Sequence, residues 1–248
     1  MKTIILFGAS SRIAQAYVQH VQEKNVKEKN VKEKEFHIIC ISSSSLPDNG
    51  QITQYITDYS KYSLAGIIEK IKHQAHTLHQ VIIFNGQLHY DQCMPEKKLE
   101  DINGDYFTQL MHTNALTPML CLQSLLPLLN HQTDCTITAL SARVGSLKDN
   151  ELGGWYTYRA TKSALNMLFK TAAIELHRRA KKTKLILFHP GTTDTELSKP
   201  FQRNVPTGKL FTPAFVAEQL FTLTNNSQSL EYNGDVDYID WQGKPIDW

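Results

Sequence analysis

Five short apolar runs recur along the chain: TIILF at 3–7, FHIICI at 36–41, QVIIF at 80–84, CTITAL at 135–140 and KLILF at 184–188. Longer stretches of helical character separate them, at about 11–34, 61–78, 103–129, 154–181 and 213–224. Each run is apolar on both of its alternating faces, so it must be covered on both sides, which is the condition of a strand in a parallel sheet. Strand and helix alternation therefore predicts an α/β fold, a doubly wound parallel sheet with helices on both faces. A weaker strand at 52–56 and a last one near 235–240 complete the sheet. Ligands in such sheets bind beyond the carboxyl ends of the strands, so the chemistry is sought just after each one.

With 248 residues and no linker, the chain is expected to be a single domain spanning 1–248. Its net charge of +2 is scattered, without a basic stripe, which argues against a nucleic-acid partner. Cys40, Cys93, Cys121 and Cys135 lie far apart with no CxxC and no paired His, so neither a disulfide framework nor a metal site is expected. The N-terminal MKTIILFGAS is too short for a signal peptide, and no apolar run reaches a spanning length, so the expectation is a soluble, cytoplasmic protein with no membrane partner. The tandem NVKEKNVKEK at 25–34 pairs charges at i,i+4, as in Glu28 with Lys32, and reads as a solvated helix extension rather than a partner-binding arm.

After the first strand comes GASSRIAQ, where a nucleotide loop places a glycine turn before a helix N-terminus that faces phosphate. Gly8, Ser10, Ser11, Arg12 and Ile13 are the candidates there, although Arg12 and Ala14 occupy positions where further glycines are usual. Arg12 either caps a cofactor phosphate or is a turn arginine in solvent. The second strand ends in CISSSSLPDN, with no carboxylate to hold a ribose 2'-hydroxyl. Ser42, Ser43 and Ser44 suit a 2'-phosphate, so NADP is favoured over NAD; a plain serine-rich loop is the alternative. Asp58 is a candidate for the adenine edge or a helix N-cap. Asn85 and Gly86 let the backbone pass close to a ribose, and Asn114 is a lone amide in an apolar stretch that Pro118 should disturb.

Residues 158–162, YRATK, set a phenol at Tyr158 and an ammonium at Lys162 one helical turn apart, on one face. A neighbouring ammonium favours the phenolate, so the Tyr158 pKa is expected to be lowered. A further hydroxyl should grip the substrate oxygen, and the chain offers Ser141 and Ser146 with Ala142 between them. Successive strand residues point to opposite faces, so Ser141 serves at that place only if the strand end bends.

In this order the elements resemble the short-chain dehydrogenase/reductase family over essentially the whole chain. The stretches ARVGSLKDNELGGWYTYRATKSALNM and HPGTTDTELSKPF, with the ending DWQGKPIDW, are similar to its C-factor-like branch. The resemblance implies a Rossmann-type sheet of about seven strands, a nicotinamide dinucleotide, and an Asn, Ser, Tyr, Lys catalytic group. Asn114, Tyr158 and Lys162 match that group, whereas the serine position, three residues before Gly145, holds Ala142 and its neighbour is Ser141. Tyr55 stands where an acidic residue is common, and of an NNAG motif only Asn85 and Gly86 remain. By the same resemblance Tyr158 and Lys162 also touch the cofactor, Pro190, Gly191, Thr193 and Thr195 lie by its nicotinamide end, and residues 195–211 form a substrate lid. Trp155 and Tyr156 line the substrate pocket or pack on a second subunit, His189 is a strand-end packing residue, and a homodimer or homotetramer is implied. The expected activity is hydride transfer between NADP(H) and a small carbonyl or alcohol, slowed by the missing hydroxyl, since one oxyanion donor is worth about two to three orders of magnitude. The alternative is a non-catalytic nucleotide-binding or signalling protein on the same fold; blockage of the site by Arg12 and Tyr55 would leave an interaction scaffold.

Overall fold

The computed structural model describes residues 1–27, 35–47, 50–73, 77–90, 93–225 and 231–248. Seven strands form one parallel sheet: β1 (Lys2–Phe7), β2 (Phe36–Ser42), β3 (Ile52–Ile56), β4 (Thr77–Ile83), β5 (Cys135–Leu140), β6 (Thr183–His189) and the last, β9 (Val236–Asp240). Their order across the sheet is β3-β2-β1-β4-β5-β6-β9, so the winding reverses between β1 and β4. A short pair, β7 (Thr192–Thr193) with β8 (Leu210–Phe211), lies beyond the end of β6. Helices α1 (Arg12–Lys27), α2 (Lys61–His73), α3 (Gly104–Met111), α4 (Thr117–Ser124), α5 (Tyr156–Arg179) and α6 (Pro213–Asn225) complete the fold.

The doubly apolar strands do what their composition demands, because alternate residues feed two separate cores. Ile5, Phe7, Val81, Ile83 and Ile137 pack with α2, α4 and α5 on one face. Ile4, Leu6, Ile38 and Ile82 pack with α1 and α6 on the other.

Three boundaries differ from the sequence expectation. The strand expected at 80–84 starts at Thr77, because His79 and Gln80 are buried polar residues with partners: Gln80 takes the Tyr17 hydroxyl and donates to Thr224 Oγ1 at 2.5 Å, and His79 pairs with Asn225 at 2.7 Å. The helix expected at 61–78 accordingly ends at His73. The helix expected over 103–129 is interrupted by a π-helical turn at His112–Leu116, followed by Pro118 in the first turn of α4. Proline has no N–H for the carbonyl four residues back, that of Asn114, so the ladder is disturbed where the sequence suggested. The part of the 25–34 repeat beyond Lys27 lies outside the described residues. No described helix is long and apolar enough to cross a membrane, and no metal-binding group of three His, Cys, Asp or Glu occurs among the described residues.

Candidate active site

The stretches singled out for the site, except Asn114 and α5, follow the carboxyl ends of strands. At β1, Gly8 has φ +68, and a β-carbon there would come within 2.8 Å of Asn85 N, so the loop after β4 can lie directly on it only because Gly8 is bare. The Gly8 amide donates to the Tyr59 hydroxyl at 2.8 Å, and Tyr59 in turn donates to the Ile41 carbonyl at 3.3 Å. Tyr59 itself sits at φ 60, so the ends of β1, β2 and β3 are stitched together by one strained residue. Ser11 caps α1, its Oγ accepting from Ala14 N at 3.2 Å, and Arg12 is exposed as the first helical residue. Ser10 is exposed and gives its carbonyl to the Gln15 amide; Ile13 packs against the core beside buried Ala14.

At the end of β2, Ser42 is buried and its hydroxyl donates to Ser44 O at 2.5 Å, which commits it to the turn and leaves Ser43 and Ser44, with Ser45 beside them, exposed. Asp58 accepts from Ser60 N at 2.9 Å, and the Ser60 side chain first and this amide second hold its carboxyl below the usual range, while Ser60 Oγ accepts from Ser63 N. This exposed carboxylate shapes the turn into α2 at the carboxyl edge of the sheet. Asn85 Oδ1 is buried beside the Tyr59 hydroxyl without a well-formed hydrogen bond, and Gly86 is exposed next to Lys162 Nζ.

Three sequence-picked residues converge behind this edge. Asn114, fully buried in the π turn, accepts from Gln87 N at 2.7 Å and donates to Gln87 O at 2.8 Å and to Thr161 Oγ1 at 3.0 Å. Its amide thereby locks the loop after β4 to α5. Lys162 is buried, donates to Leu140 O at 2.8 Å and stands 5.7 Å from the centre of the Tyr158 ring. Burial pushes its ammonium from 10.5 down to about 8. The Tyr158 phenol is pushed up, by burial first and by Tyr238 second. This reverses the lowered value expected from the pair's spacing; the Lys162 proton is aimed at a carbonyl, and desolvation of the phenolate wins.

Ser141 is also corrected. Its hydroxyl donates to Asn166 Oδ1 at 2.6 Å, one turn beyond Lys162. Ala142 is the residue on the Tyr158 side, its methyl in one apolar cluster with Tyr158, Leu88, Tyr106, Val144 and Trp155. Ser146 is buried as well and accepts from Asp149 N, so neither serine stands in the missing place.

Aromatic rings roof this cluster. Trp155 lies 6.1 Å from Tyr158 and 4.9 Å from Phe201, and Phe201 lies 6.0 Å from His89, whose Nε2 is buried without a partner. Tyr156 is exposed, which separates its role from that of Trp155. Beyond β6, Gly191 lies under Phe211 and Trp241, Pro190 is half-buried, and Thr195 Oγ1 donates to Thr193 O at 3.4 Å. Thr193 Oγ1 is buried with no partner. His189 is held neutral, pushed down to about 4 chiefly by burial.

Sequence reasoning missed Tyr59, Glu96, Thr161 and Asn166, each of which acts through a contact from a distant segment. Orphaned polar atoms at Asn85 and Thr193, the bare cradle at Gly8 and the buried ammonium of Lys162 all border one edge. That donor set fits a nucleotide with phosphates at the α1 end and a ribose near Lys162.

The short chain dehydrogenase family model matches residues 2–206. A 1-hydroxy-2-glutathionyl-2-methyl-3-butene dehydrogenase of Rhodococcus sp. strain AD45 is 25% identical over 203 residues, covering 81% of this chain and 82% of that protein. The C-signal of Myxococcus xanthus is 28% identical over 150 residues, 60% of this chain and 83% of its own. A short-chain dehydrogenase/reductase structure from Burkholderia multivorans with bound NADP superposes with a TM-score of 0.77 at 19% identity, covering 100% of this chain and 99% of the other.

Proposed function

The chain belongs to the short chain dehydrogenase family, and from that premise we propose that it interconverts a small carbonyl compound and its alcohol with NADP(H), working chiefly as a reductase. As a family member it is an NAD(P)-dependent oxidoreductase. The observation that carries the finer reading is the pairing of a buried phenol at Tyr158 with a buried ammonium at Lys162, beside an apolar side-chain cluster.

When bound, the dinucleotide supplies the hydride. Tyr158 supplies the proton: burial keeps the phenol protonated at neutral pH, so it is ready to donate to a carbonyl oxygen. Lys162, its pKa pushed down to about 8, releases a proton within the neutral range and restores the phenol. The Asn114 carbonyl, denied a donor by Pro118, holds a water that refills Lys162. Ala142 offers no hydroxyl, so the oxygen is gripped by Tyr158 alone on that side, and turnover is slow.

Gly8, Ser10, Ser11, Arg12 and Ile13 would hold the phosphates, Asn85, Gly86 and Lys162 the riboses, and Pro190, Gly191, Thr193 and Thr195 the nicotinamide end. NADP is favoured because residues 42–46 carry no carboxylate, while Ser43 and Ser44 are exposed near the carboxyl edge and Arg12 is exposed at the start of α1. Residues 195–211 act as the lid of a single-domain enzyme, with Phe201 closing on Trp155. A homodimer or homotetramer is supported by Met167 and Ile174, exposed on α5.

The test is NADPH consumption against a panel of aldehydes, ketones and diketones, with Tyr158→Phe expected to abolish it. Continued consumption by that variant removes Tyr158 from the chemistry. Ala142 and the similarity to C-signal support a second reading, a non-catalytic nucleotide-binding or signalling protein. That reading requires calorimetric NADPH binding with no turnover of any substrate.

A further inference from the structure

We infer that Glu96 is a positioning residue for the reaction, fixing the Tyr158 phenol by clamping the first turn of α5. The inference rests on the reading of Tyr158 as proton donor.

Helix α5 starts from three successive left-handed residues, Gly153 (φ 66), Gly154 (φ 65) and Trp155 (φ 53). Two glycines adopt that conformation freely, but a tryptophan does so only when its surroundings compel it. As the N-cap, Trp155 also brings no side-chain acceptor for the exposed amides of the first turn. Both deficits are met by one distant residue, Glu96. Glu96 Oε2 accepts from Thr157 N at 3.2 Å, Glu96 Oε1 accepts from the Thr157 hydroxyl, and the Glu96 carbonyl accepts from Trp155 N at 2.6 Å.

Glu96 is 2% exposed, and amide and hydroxyl protons of the helix start meet its carboxylate, as the positive end of a helix dipole favours. The clamp is itself anchored, because Asp101 Oδ2 accepts from Lys97 N at 3.1 Å and from Lys98 N at 3.2 Å. Arg159 in addition holds the Gly154 carbonyl at 3.0 Å and the Gly153 carbonyl at 3.3 Å.

Thr157 is bonded to Tyr158 in the chain, and the Trp155 ring packs on Tyr158 and on Phe201. Releasing Glu96 lets the proton donor and its roof slip together. Misplacement by about 1 Å is enough to cost about 10²-fold in rate. The described clamp contacts do not reach Gly8, Ser43 or Asn85, and the nucleotide keeps those holds when Tyr158 slips, so cofactor affinity should change little.

The experiment compares Glu96→Gln, Thr157→Val and Thr157→Ser with the parent chain. In NADPH-dependent reduction, kcat should fall about 10- to 100-fold in Glu96→Gln and Thr157→Val, with the calorimetric NADPH Kd within about twofold of the parent. Thr157→Ser keeps the hydroxyl and should recover most of the rate. Unchanged kcat in Glu96→Gln, or an equal loss in Thr157→Ser and Thr157→Val, overturns the inference; should Glu96→Gln not fold, Thr157→Val against Thr157→Ser decides alone. If the parent turns over no carbonyl, the functional reading fails separately, and the clamp is judged by hydrogen exchange at residues 155–158. Faster exchange in Thr157→Val supports it, and parental protection refutes it.

Discussion

Lys162 should make the protein less stable at neutral pH than a chain without it, and the size of the effect follows from its surroundings. Its ammonium is buried, and its pKa falls from 10.5 to about 8 through burial alone. That difference corresponds to about 3 kcal/mol held against the folded state while the group is charged. Lys162→Met keeps the stem and removes the charge, but takes from the Leu140 carbonyl its 2.8 Å donor, a loss of about 1–2 kcal/mol. The variant should therefore be more stable at pH 7 by about 1–2 kcal/mol, which for a chain of this length raises Tm by about 2–8 °C. Below about pH 8 the lysine is charged in both folded and unfolded states, and the cost is present in full. Between about 8 and 10.5 the folded state releases its proton first, so the parent gains stability as pH rises, and above 10.5 the cost is gone. Thermal melts of both proteins from pH 7 to 10.5, without nucleotide, should show the parent's Tm rising to meet and then pass that of the variant, which lacks the Leu140 hydrogen bond at every pH, and NADPH-dependent reduction by the variant should be lost. A variant less stable than the parent at pH 7, or a gap that ignores pH, refutes the picture of Lys162 as a buried, desolvated cation.

Two further outcomes are expected. Ala142 has an extended backbone, φ −153 and ψ 144, that serine adopts without strain, so Ala142→Ser should raise kcat about 10²–10³-fold on any carbonyl that the parent reduces; an unchanged kcat would show that the hydroxyl is not what limits the rate. Calorimetry should give tighter binding of NADPH than of NADH, with the gap narrowed in Arg12→Gly, and equal affinities in the parent would remove the case for NADP.

The sheet was legible because its strands are apolar on both faces, a pattern that burial on both sides alone explains. Where a strand carries polar residues the pattern fails: His79 and Gln80 belong to β4, but their partners Asn225, Tyr17 and Thr224 come from other elements and leave no mark nearby. The break near Asn114 was legible, since Pro118 removes a donor wherever it sits. So was the difficulty with Ser141, because strand alternation sends residues 141 and 142 to opposite sides, and the structure finds Asn166 on one and Tyr158 on the other. The acidity of Tyr158 was misread for a definite reason. Helical spacing places Lys162 on the same face, but says nothing about the Leu140 carbonyl that takes its proton or about the desolvation that outweighs its charge.

The least legible part of the site is the part that aims it. In LGGWY the two glycines announce a turn, yet a tryptophan at φ 53 is what no local rule would choose. It is held by the Glu96 carbonyl, which takes the Trp155 amide, and flanked by the Arg159 grip on Gly154, and Glu96 stands in a charged stretch, PEKKLED, that alone reads as solvated surface. Tyr59 does the same for the nucleotide edge, joining Gly8 to Ile41 from a strained backbone. Strain of this kind persists only when contacts from elsewhere over-determine it. The spacing from Tyr158 to Lys162 therefore specifies which atoms are able to exchange a proton, while residues with no part in that exchange decide whether they come into line with a substrate.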